Sequence, residues 1–274
     1  MEIKFFIPRW GNRHLSWADF AKKAKQAGYA GVEANLPVEA EEKEEMFREL
    51  GAQGLDWIGQ HFETSTADFK EHASQYESRL IALAEAKPLL INSQTGKDYF
   101  TFDQNSTLIE IAEKISKEYD IKILHETHRG KFSFCTTSTA SYLEKYPDLR
   151  ITADFSHWCC VAESYLQDQQ EILNLAIDRT DHFHSRVGFP GGPQVNHPAA
   201  PEWEEALTFH CQWWDAIVNR HLASKASTFT ITCEFGPYPY MPQLPFSRQD
   251  LSDLWELNLF MKIFLEKRYA SLTL

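Results

Sequence analysis

Four acidic or imidazole side chains follow apolar runs in the second half of the chain, and their types suit a metal site. Glu126 ends the run IKILHE, Asp154 ends RITAD, His184 ends DHFH, and Glu234 follows TFTITC. Two glutamates, an aspartate and a histidine form a hard, oxygen-rich ligand set that suits Mn²⁺, Mg²⁺, Co²⁺ or Zn²⁺. Three carboxylates held close together would raise one another's pKa, and a divalent cation removes that repulsion.

The four residues can meet only if the elements that carry them surround a common point. Eight short β-like runs along the chain each precede a helical pattern: IKFFIP, GVEANL, LDWIGQHFET, PLLINSQTG, IKILHETHRG, RITADFSHW, DHFHSRVG and TFTITCEFG. Strict alternation predicts a parallel sheet with helices outside, and eight units predict an α/β fold of the (β/α)8 TIM barrel type. The active site of such a barrel lies at the C-terminal ends of its strands, where residues distant in sequence converge.

The main rival fold is a doubly wound open sheet, which usually carries a glycine-rich first turn for a nucleotide. The first strand here ends in PRWGNRH, without that motif. No linker or low-complexity tract divides the chain, so we expect a single domain over residues 1–274. Ser16 is the expected N-cap of the first helix, Gly28 its stop, and Thr66 the expected cap of the third helix.

Composition narrows the class of protein. The 274 residues carry a net charge of -12, which argues against nucleic-acid partners because they require basic surface. No apolar run approaches the length of about 18 residues that a membrane helix needs, and the N-terminus lacks the features of a signal peptide. Five cysteines form no CxxC pair, which fits reduced thiols and a cytoplasmic location. The oligomeric state is left open, and a homo-oligomer is compatible with the sequence.

Further polar residues lie near the same strand ends. His61 ends the third run in QHFET and is expected to reach the pocket. Arg129, just beyond Glu126, could bind a substrate carboxylate or phosphate, or cap the barrel mouth. His182 shares the strand face of His184 but lies one layer deeper, which favours a hydrogen-bonding role over ligation.

The segments HETHRG, TADFSHW, DHFHSRVG and TCEFG together resemble the xylose isomerase-like TIM barrel superfamily, which includes sugar isomerases, ketose 3-epimerases, inosose dehydratases, hydroxypyruvate isomerases and endonuclease IV. The resemblance spans essentially the whole chain and is specific in the last four strands. It implies the metal ligands Glu126, Asp154, His184 and Glu234. It also implies that His157, three residues after Asp154, binds substrate hydroxyls. Arg186 lies near the substrate-binding arginine of epimerases, although its spacing from the metal histidine differs.

The chemistry implied is proton transfer on a small sugar or polyol ketone substrate. A divalent cation that chelates a carbonyl and a neighbouring hydroxyl acidifies the carbon-bound proton and stabilises the enediolate. Glu126 and Glu234 are the candidate bases. Return of the proton to the same face gives isomerisation, return to the opposite face gives epimerisation, and loss of a β-hydroxyl gives dehydration.

Three alternatives remain beside the isomerase or epimerase hypothesis. The first is an inosose-type dehydratase with the same site, and the second is a barrel that binds metal or ligand without turnover. The third is an endonuclease IV-like phosphodiesterase. The third alternative is the weakest, because the fourth strand ends in NSQTG without a histidine and the net charge is negative.

Overall fold

The computed structural model describes residues 1–272, and its eight strands are parallel and close into a barrel in sequence order. The strands are β1 (Glu2–Pro8), β2 (Gly31–Ala34), β3 (Asp56–His61), β4 (Ile91–Ser93), β5 (Ile123–Glu126), β6 (Ile151–Ala153), β7 (Thr180–His184) and β8 (Thr228–Thr232). Pairing of β1 with β8, with Phe6 opposite Thr232, closes the barrel. The predicted (β/α)8 TIM barrel is confirmed, and the rival open sheet is wrong.

The helices follow the strands around the outside of the barrel. They are α1 (Trp17–Gln26), α2 (Ala40–Gln53), α3 (Phe69–Glu85), α4 (Phe102–Tyr119), α5 (Thr136–Lys145), α6 (Phe155–Ala162), α7 (Gln170–Asp178), α8 (Glu204–Ala223) and α9 (Leu254–Tyr269), with a 3-10 turn at Pro201–Trp203 before α8. Two helices, α6 and α7, lie between β6 and β7. No helix within residues 1–272 is both long enough and apolar enough to cross a membrane.

Helix starts follow local hydrogen-bond chemistry. The Ser16 side chain accepts a hydrogen bond from the backbone N–H of Asp19 at 3.1 Å, which confirms the predicted N-cap of α1. The predicted cap at Thr66 is wrong, because Asp68 caps α3 by accepting from the N–H of Glu71 at 2.9 Å. Asp68 directly precedes the helix, whereas the Thr66 hydroxyl is two residues further out and donates to the Glu71 carboxylate.

The buried apolar side chains form two separate clusters. Most buried apolar side chains form one large cluster that includes residues from both strands and helices, as α1 shows by burying Trp17, Phe20, Ala21 and Ala24 on one face. A second, small cluster consists of Phe6, Ile58, Leu90 and Leu124. Gln60, Asn92 and Glu126 lie two residues after Ile58, Leu90 and Leu124, respectively. Side chains alternate between the two faces of a strand, so each polar residue shares the face of the apolar residue before it. The barrel interior therefore changes from an apolar floor to a polar layer towards the C-terminal ends of the strands.

Candidate metal centre and active site

The structure brings the four predicted ligands together at the C-terminal end of the barrel. Glu126 and His184 are the last residues of β5 and β7, Asp154 directly follows β6, and Glu234 comes two residues after β8. Each offers one ligand atom, and these atoms all lie within 4.8 Å of one another. All four side chains are buried. Short parallel strands with a common end produce this convergence, as expected for a barrel.

His184 has one ring nitrogen in a hydrogen bond and one that faces the carboxylates. Its Nε2 lies 3.2 Å from both carboxylate oxygens of Glu33. Its Nδ1 lies 2.8 Å from Oε2 of Glu234, and 3.8 and 3.9 Å from oxygens of Asp154 and Glu126. The Nδ1–Glu234 distance is short, but the atoms are not aligned for a hydrogen bond, and Nδ1 has no hydrogen-bond partner among the described residues.

Burial and mutual repulsion shape the charges of this site. Burial raises the pKa of Glu126 to about 8, and the neighbouring carboxylates Glu234 and Asp154 add to the effect. Burial alone would lower the pKa of His184, but the carboxylates of Glu234, Glu33 and Asp154 outweigh it and raise that pKa well above its usual value. The site therefore attracts positive charge strongly, and a bound cation would take the place of the proton on His184 Nδ1.

Arg186 supplies the other positive charge in the site. Its Nη2 donates to Oδ2 of Asp154, lies 3.4 Å from Oε2 of Glu234, and donates to Nε2 of His157 at 2.9 Å. Its Nη1 is buried and has no hydrogen-bond partner in the part of the chain that the structure describes. His157 is fully buried, and its ring centroid lies 3.9 Å from that of His128, with the two ring planes tilted by 46°. Arg186 thus reaches the candidate ligands directly, with a free donor left over.

A cavity of about 200 Å³ opens onto the site. Its walls are Trp10, Gln60, Phe62, Gln94, His128, Arg186, Glu234 and Tyr240. The rings of Trp10 and Tyr240 meet edge to face with centroids 5.1 Å apart. Gly236 is required here, because a Cβ at that position would lie 2.0 Å from the Trp10 ring. The cavity is smaller than the roughly 300–1,000 Å³ typical of ligand pockets, which suits a small molecule.

Three residues expected to bind substrate do not line this cavity, namely His61, Arg129 and the fully buried His157. His61 is fully buried and its ring nitrogens contact Ser93 Oγ at 3.1 Å and Thr64 Oγ1 at 2.8 Å. Both nitrogens are therefore engaged within the protein, which points to a structural role. Arg129 does not line the cavity, and its guanidinium lies 4.9 Å from the centroid of the Tyr240 ring.

Sequence reasoning missed several polar residues of the barrel interior. Glu33 of β2 is fully buried and accepts hydrogen bonds from Asn92 Nδ2 at 2.8 Å and Thr232 Oγ1 at 2.5 Å. Gln60 of β3 donates to Oε1 of Glu234 at 3.1 Å, and Asn92 of β4 also donates to Glu126 at 3.0 Å. The available signal was a glutamate inside the otherwise apolar run GVEA, since an unpaired buried carboxylate is costly.

The donor set fits a divalent cation. Three carboxylates and one imidazole with an unpartnered nitrogen converge, and their composition is that of Mn²⁺, Mg²⁺, Co²⁺ or Zn²⁺ sites. His184 also has a carboxylate behind its other nitrogen, the arrangement that commonly orients metal-binding histidines. This buried His/Glu/Asp cluster is therefore consistent with divalent metal binding.

Comparison with known proteins identifies the fold class. No protein-family model matches the chain, and no curated protein matches it. Among solved structures, 3-keto-D-glucoside 4-epimerase YcjR from E. coli is similar with a TM-score of 0.60 and 14% identity, over 97% of this chain and 100% of that chain. Endonuclease IV from Thermus thermophilus is similar with a TM-score of 0.59 and 14% identity, over 97% and 100% of the two chains.

The probable 3-DHS dehydratase AsbF from Bacillus anthracis is also similar, with a TM-score of 0.59 and 18% identity over 96% of this chain and 98% of that chain. These proteins differ in the reactions that their names describe, and at such identities the likeness shows the fold alone. The chain has the fold of the xylose isomerase-like TIM barrels, which confirms the resemblance noted in its sequence at the level of the fold.

Proposed function

We propose that the protein is a divalent-metal-dependent isomerase or epimerase of a small sugar or polyol ketone. The observation that supports this most is the convergence of four ligand atoms within 4.8 Å, next to a small cavity. Glu126, Asp154, His184 and Glu234 would hold the cation. When bound, the cation would supply Lewis-acid chemistry by polarising a carbonyl oxygen and acidifying the neighbouring C–H bond.

Proton transfer would fall to the two glutamates of the site. Glu234 lines the cavity, and the hydrogen bond from Gln60 to its Oε1 holds the carboxylate in place while Oε2 faces His184. Glu126 lies across the cluster, and the amide of Gln94 lies 3.3 and 3.4 Å from its two oxygens. Two carboxylates positioned in this way can remove a carbon-bound proton and return it. The choice of face for the return distinguishes isomerisation from epimerisation.

The walls of the cavity match an uncharged polyhydroxylated substrate. Arg186 contributes its guanidinium to the wall, and Gln60, Gln94 and His128 add polar groups around the opening. The rings of Trp10 and Phe62 provide apolar faces against which the C–H groups of a sugar can pack. Such a combination of apolar walls and few placed polar groups is typical of small-molecule sites.

Two other predicted substrate-binding residues contact the residues of the cavity wall instead of the substrate in this proposal. His157 orients Arg186 by accepting its hydrogen bond at 2.9 Å, and Arg129 supports Tyr240. His61 receives no role in substrate binding, because Ser93 and Thr64 occupy its ring nitrogens.

The test is metal-dependent exchange of deuterium from solvent into a panel of ketoses and keto-polyols. The chain is stripped with chelator, reloaded with Mn²⁺, Mg²⁺, Co²⁺ or Zn²⁺, and followed by NMR of the sugar. We expect exchange that needs the cation, with an isomer or epimer as product. Loss of water would instead establish a dehydratase, and cation and ligand binding without exchange would establish a non-catalytic barrel. Either result would overturn the proposal.

A further inference from the structure

We infer that Glu33 holds the Nε2 proton of His184, so that Nδ1 is the nitrogen presented to the cation. This inference depends on the proposed metal centre and adds a positioning residue to it. Glu33 belongs to β2, outside the four sequence segments that indicated the metal site. It is fully buried, and it contacts the imidazole on the edge opposite to the carboxylate cluster.

The hydrogen bonds around Glu33 show that it accepts rather than donates. Thr232 Oγ1 donates to its Oε2 at 2.5 Å, and Asn92 Nδ2 donates to its Oε1 at 2.8 Å. The His184 Nε2 lies 3.2 Å from each of the two oxygens. An ionised carboxylate has only acceptor sites, so His184 Nε2, which faces both of its oxygens, must carry its hydrogen. His182 Nε2 also faces this carboxylate, at 3.4 Å from Oε2, which is further away than His184 Nε2.

Asn92 could in principle compete for the same ring nitrogen, because its Nδ2 lies 3.3 Å from His184 Nε2. An amide nitrogen has two hydrogens, and both have closer acceptors here. One is directed to Glu33 at 2.8 Å and the other to Glu126 at 3.0 Å. Nε2 therefore has Glu33 as its acceptor, and it has no need to accept from Asn92.

The consequence lies on the opposite edge of the ring. A neutral imidazole carries one hydrogen, and a metal binds the nitrogen without it. Once a cation has displaced the proton on Nδ1, Glu33 holds the remaining hydrogen on Nε2. The lone pair is then on Nδ1, the nitrogen that faces Glu234 and has no hydrogen-bond partner within residues 1–272. Carboxylates in this position behind metal-binding histidines change metal affinity by about 10–100-fold when mutated.

A second metal site at Glu33 is the competing interpretation, because ligand atoms of Glu33, His182 and His184 also lie within 4.8 Å of one another. The contacts of His182 and Glu33 argue against a second metal site. His182 Nδ1 lies 2.7 Å from Thr230 Oγ1, and its Nε2 lies 3.1 Å from Thr232 Oγ1. With both nitrogens of His182 in contact with hydroxyls and both oxygens of Glu33 accepting, the group is a hydrogen-bonded support.

The test variant is Glu33→Gln. Thr232 and Asn92 donate to different oxygens of Glu33, so the glutamine keeps an acceptor for only one of them, and its NH₂ takes the place of the other oxygen, which lies 3.2 Å from His184 Nε2. That donor favours hydrogen on Nδ1, the nitrogen needed for the cation. We expect Zn²⁺ to bind about 10–100-fold more weakly by calorimetry. The diamagnetic Zn²⁺ complex also permits ¹⁵N NMR of the histidine rings, in which wild type should show a protonated Nε2 and a metal-shifted Nδ1 for His184.

Two further variants control for damage to the fold. Glu63→Gln makes the same chemical change at a partly buried glutamate that pairs with Arg79, and it should leave Zn²⁺ affinity unchanged. Glu33→Asp keeps an acceptor and should recover part of the affinity that Glu33→Gln loses. Thermal unfolding of each metal-free variant shows whether the protein is folded.

The outcomes separate this inference from the proposed function. If wild type binds one Zn²⁺ and Glu33→Gln binds it equally well with the same NMR signals, the role of Glu33 is wrong and the metal centre stands. If wild type binds two Zn²⁺ ions and Glu33→Gln binds one, Glu33 is a ligand. If folded wild type binds no divalent cation, the metal centre itself is wrong and the inference about Glu33 fails with it.

Discussion

The two ends of the barrel differ in how their charged side chains are paired, and β7 runs from one end to the other. At the N-terminal end of β7, Asp181 is paired with Lys122 at 2.9 Å and Arg150 at 2.6 Å, with Arg220 at 3.8 Å. At the C-terminal end of the same strand, His184 lies among carboxylates that outnumber their cations. Cations therefore outnumber acids around Asp181, even when Asp178 beside Arg220 is included, and the reverse holds around His184.

The difference indicates which charges stabilise the fold and which prepare a site. The pairs around Asp181 are partly open to solvent and each charge has a partner within the protein. The carboxylates of Glu33, Glu126, Asp154 and Glu234 are buried, and Arg186 pairs with two of them, Asp154 and Glu234. Removing charges from water without full pairing costs several kcal/mol per ion. A fold that retains this cost at the C-terminal end of its barrel is expected to recover it when a cation binds.

The largest effect should come from Glu234→Gln, which tests whether the unpaired end is catalytic. The amide can still coordinate through its carbonyl oxygen but cannot accept a proton, so turnover should fall by about 10²–10⁴-fold while some metal affinity remains. Deuterium exchange and metal content are measured on the same samples. Asp181→Asn, at the opposite end, should exchange deuterium at the wild-type rate. Equal rates for Glu234→Gln and wild type would exclude the paired-glutamate mechanism.

The next effect concerns cation binding itself. A ligand that binds only the folded state at 100 times its Kd stabilises it by about 2.7 kcal/mol. For a chain of this length, that corresponds to about 5–10 °C in Tm. Chelation should therefore lower Tm by this amount, and Asp154→Asn should lose most of the difference between metal-loaded and chelated samples.

The comparison within each variant is the relevant quantity, because Asp154→Asn also removes the partner of the buried Arg186 and lowers stability on its own account. A chelated wild type, confirmed free of metal, that melts at the same temperature as the loaded protein would contradict a tight site.

The smallest effect tests the other end of the barrel. Burial would raise the pKa of Asp181, but hydrogen bonds from Arg150 and Lys122 outweigh it and lower the pKa to about 2, below the usual 3.8. A lowered folded-state pKa contributes stability above about pH 4, and this contribution is lost as pH falls through about 2. Asp181→Asn should thus cost about 2 kcal/mol at pH 7.

Urea denaturation checks both the sign and the site of this effect. The difference between wild type and Asp181→Asn should be constant from pH 5 to 8 and shrink below about pH 4. A difference that grows on acidification would mean that Asp181 is not the stabilising partner of Arg150 and Lys122. Zn²⁺ affinity should be the same in both proteins, because the cluster at the C-terminal end is unchanged.

Much of the fold was predictable because local pattern and topology agree. Each of the eight predicted runs contains a strand, and the alternation with helices leaves a closed parallel barrel as the natural arrangement. The helix caps were less predictable, since Thr66 and Asp68 both have capping side chains and only the observed path of the chain selects Asp68.

The candidate site was predictable in its ligands and much less so in its surroundings. Glu126, Asp154 and His184 were identifiable because the C-terminal ends of barrel strands share one edge, which turns a one-dimensional pattern into a position in space. His61 occupies an equivalent strand end, yet its ring points to Ser93 and Thr64. Strand position is thus a weak guide to the direction of a long polar side chain.

The sequence by itself determined the barrel, its order of strands and the chemical types of the converging residues, because these follow from periodicity and from the geometry of βα units. Only the tertiary structure decided which buried polar groups contact these converging residues. Glu33 lies 151 positions before His184, and Gln60 lies 174 positions before Glu234. No local pattern relates residues so far apart. Their contacts arise from the closure of the sheet, which brings side chains of β2 and β3 together with those at the ends of β7 and β8 in a narrow interior where each buried polar group must find a partner.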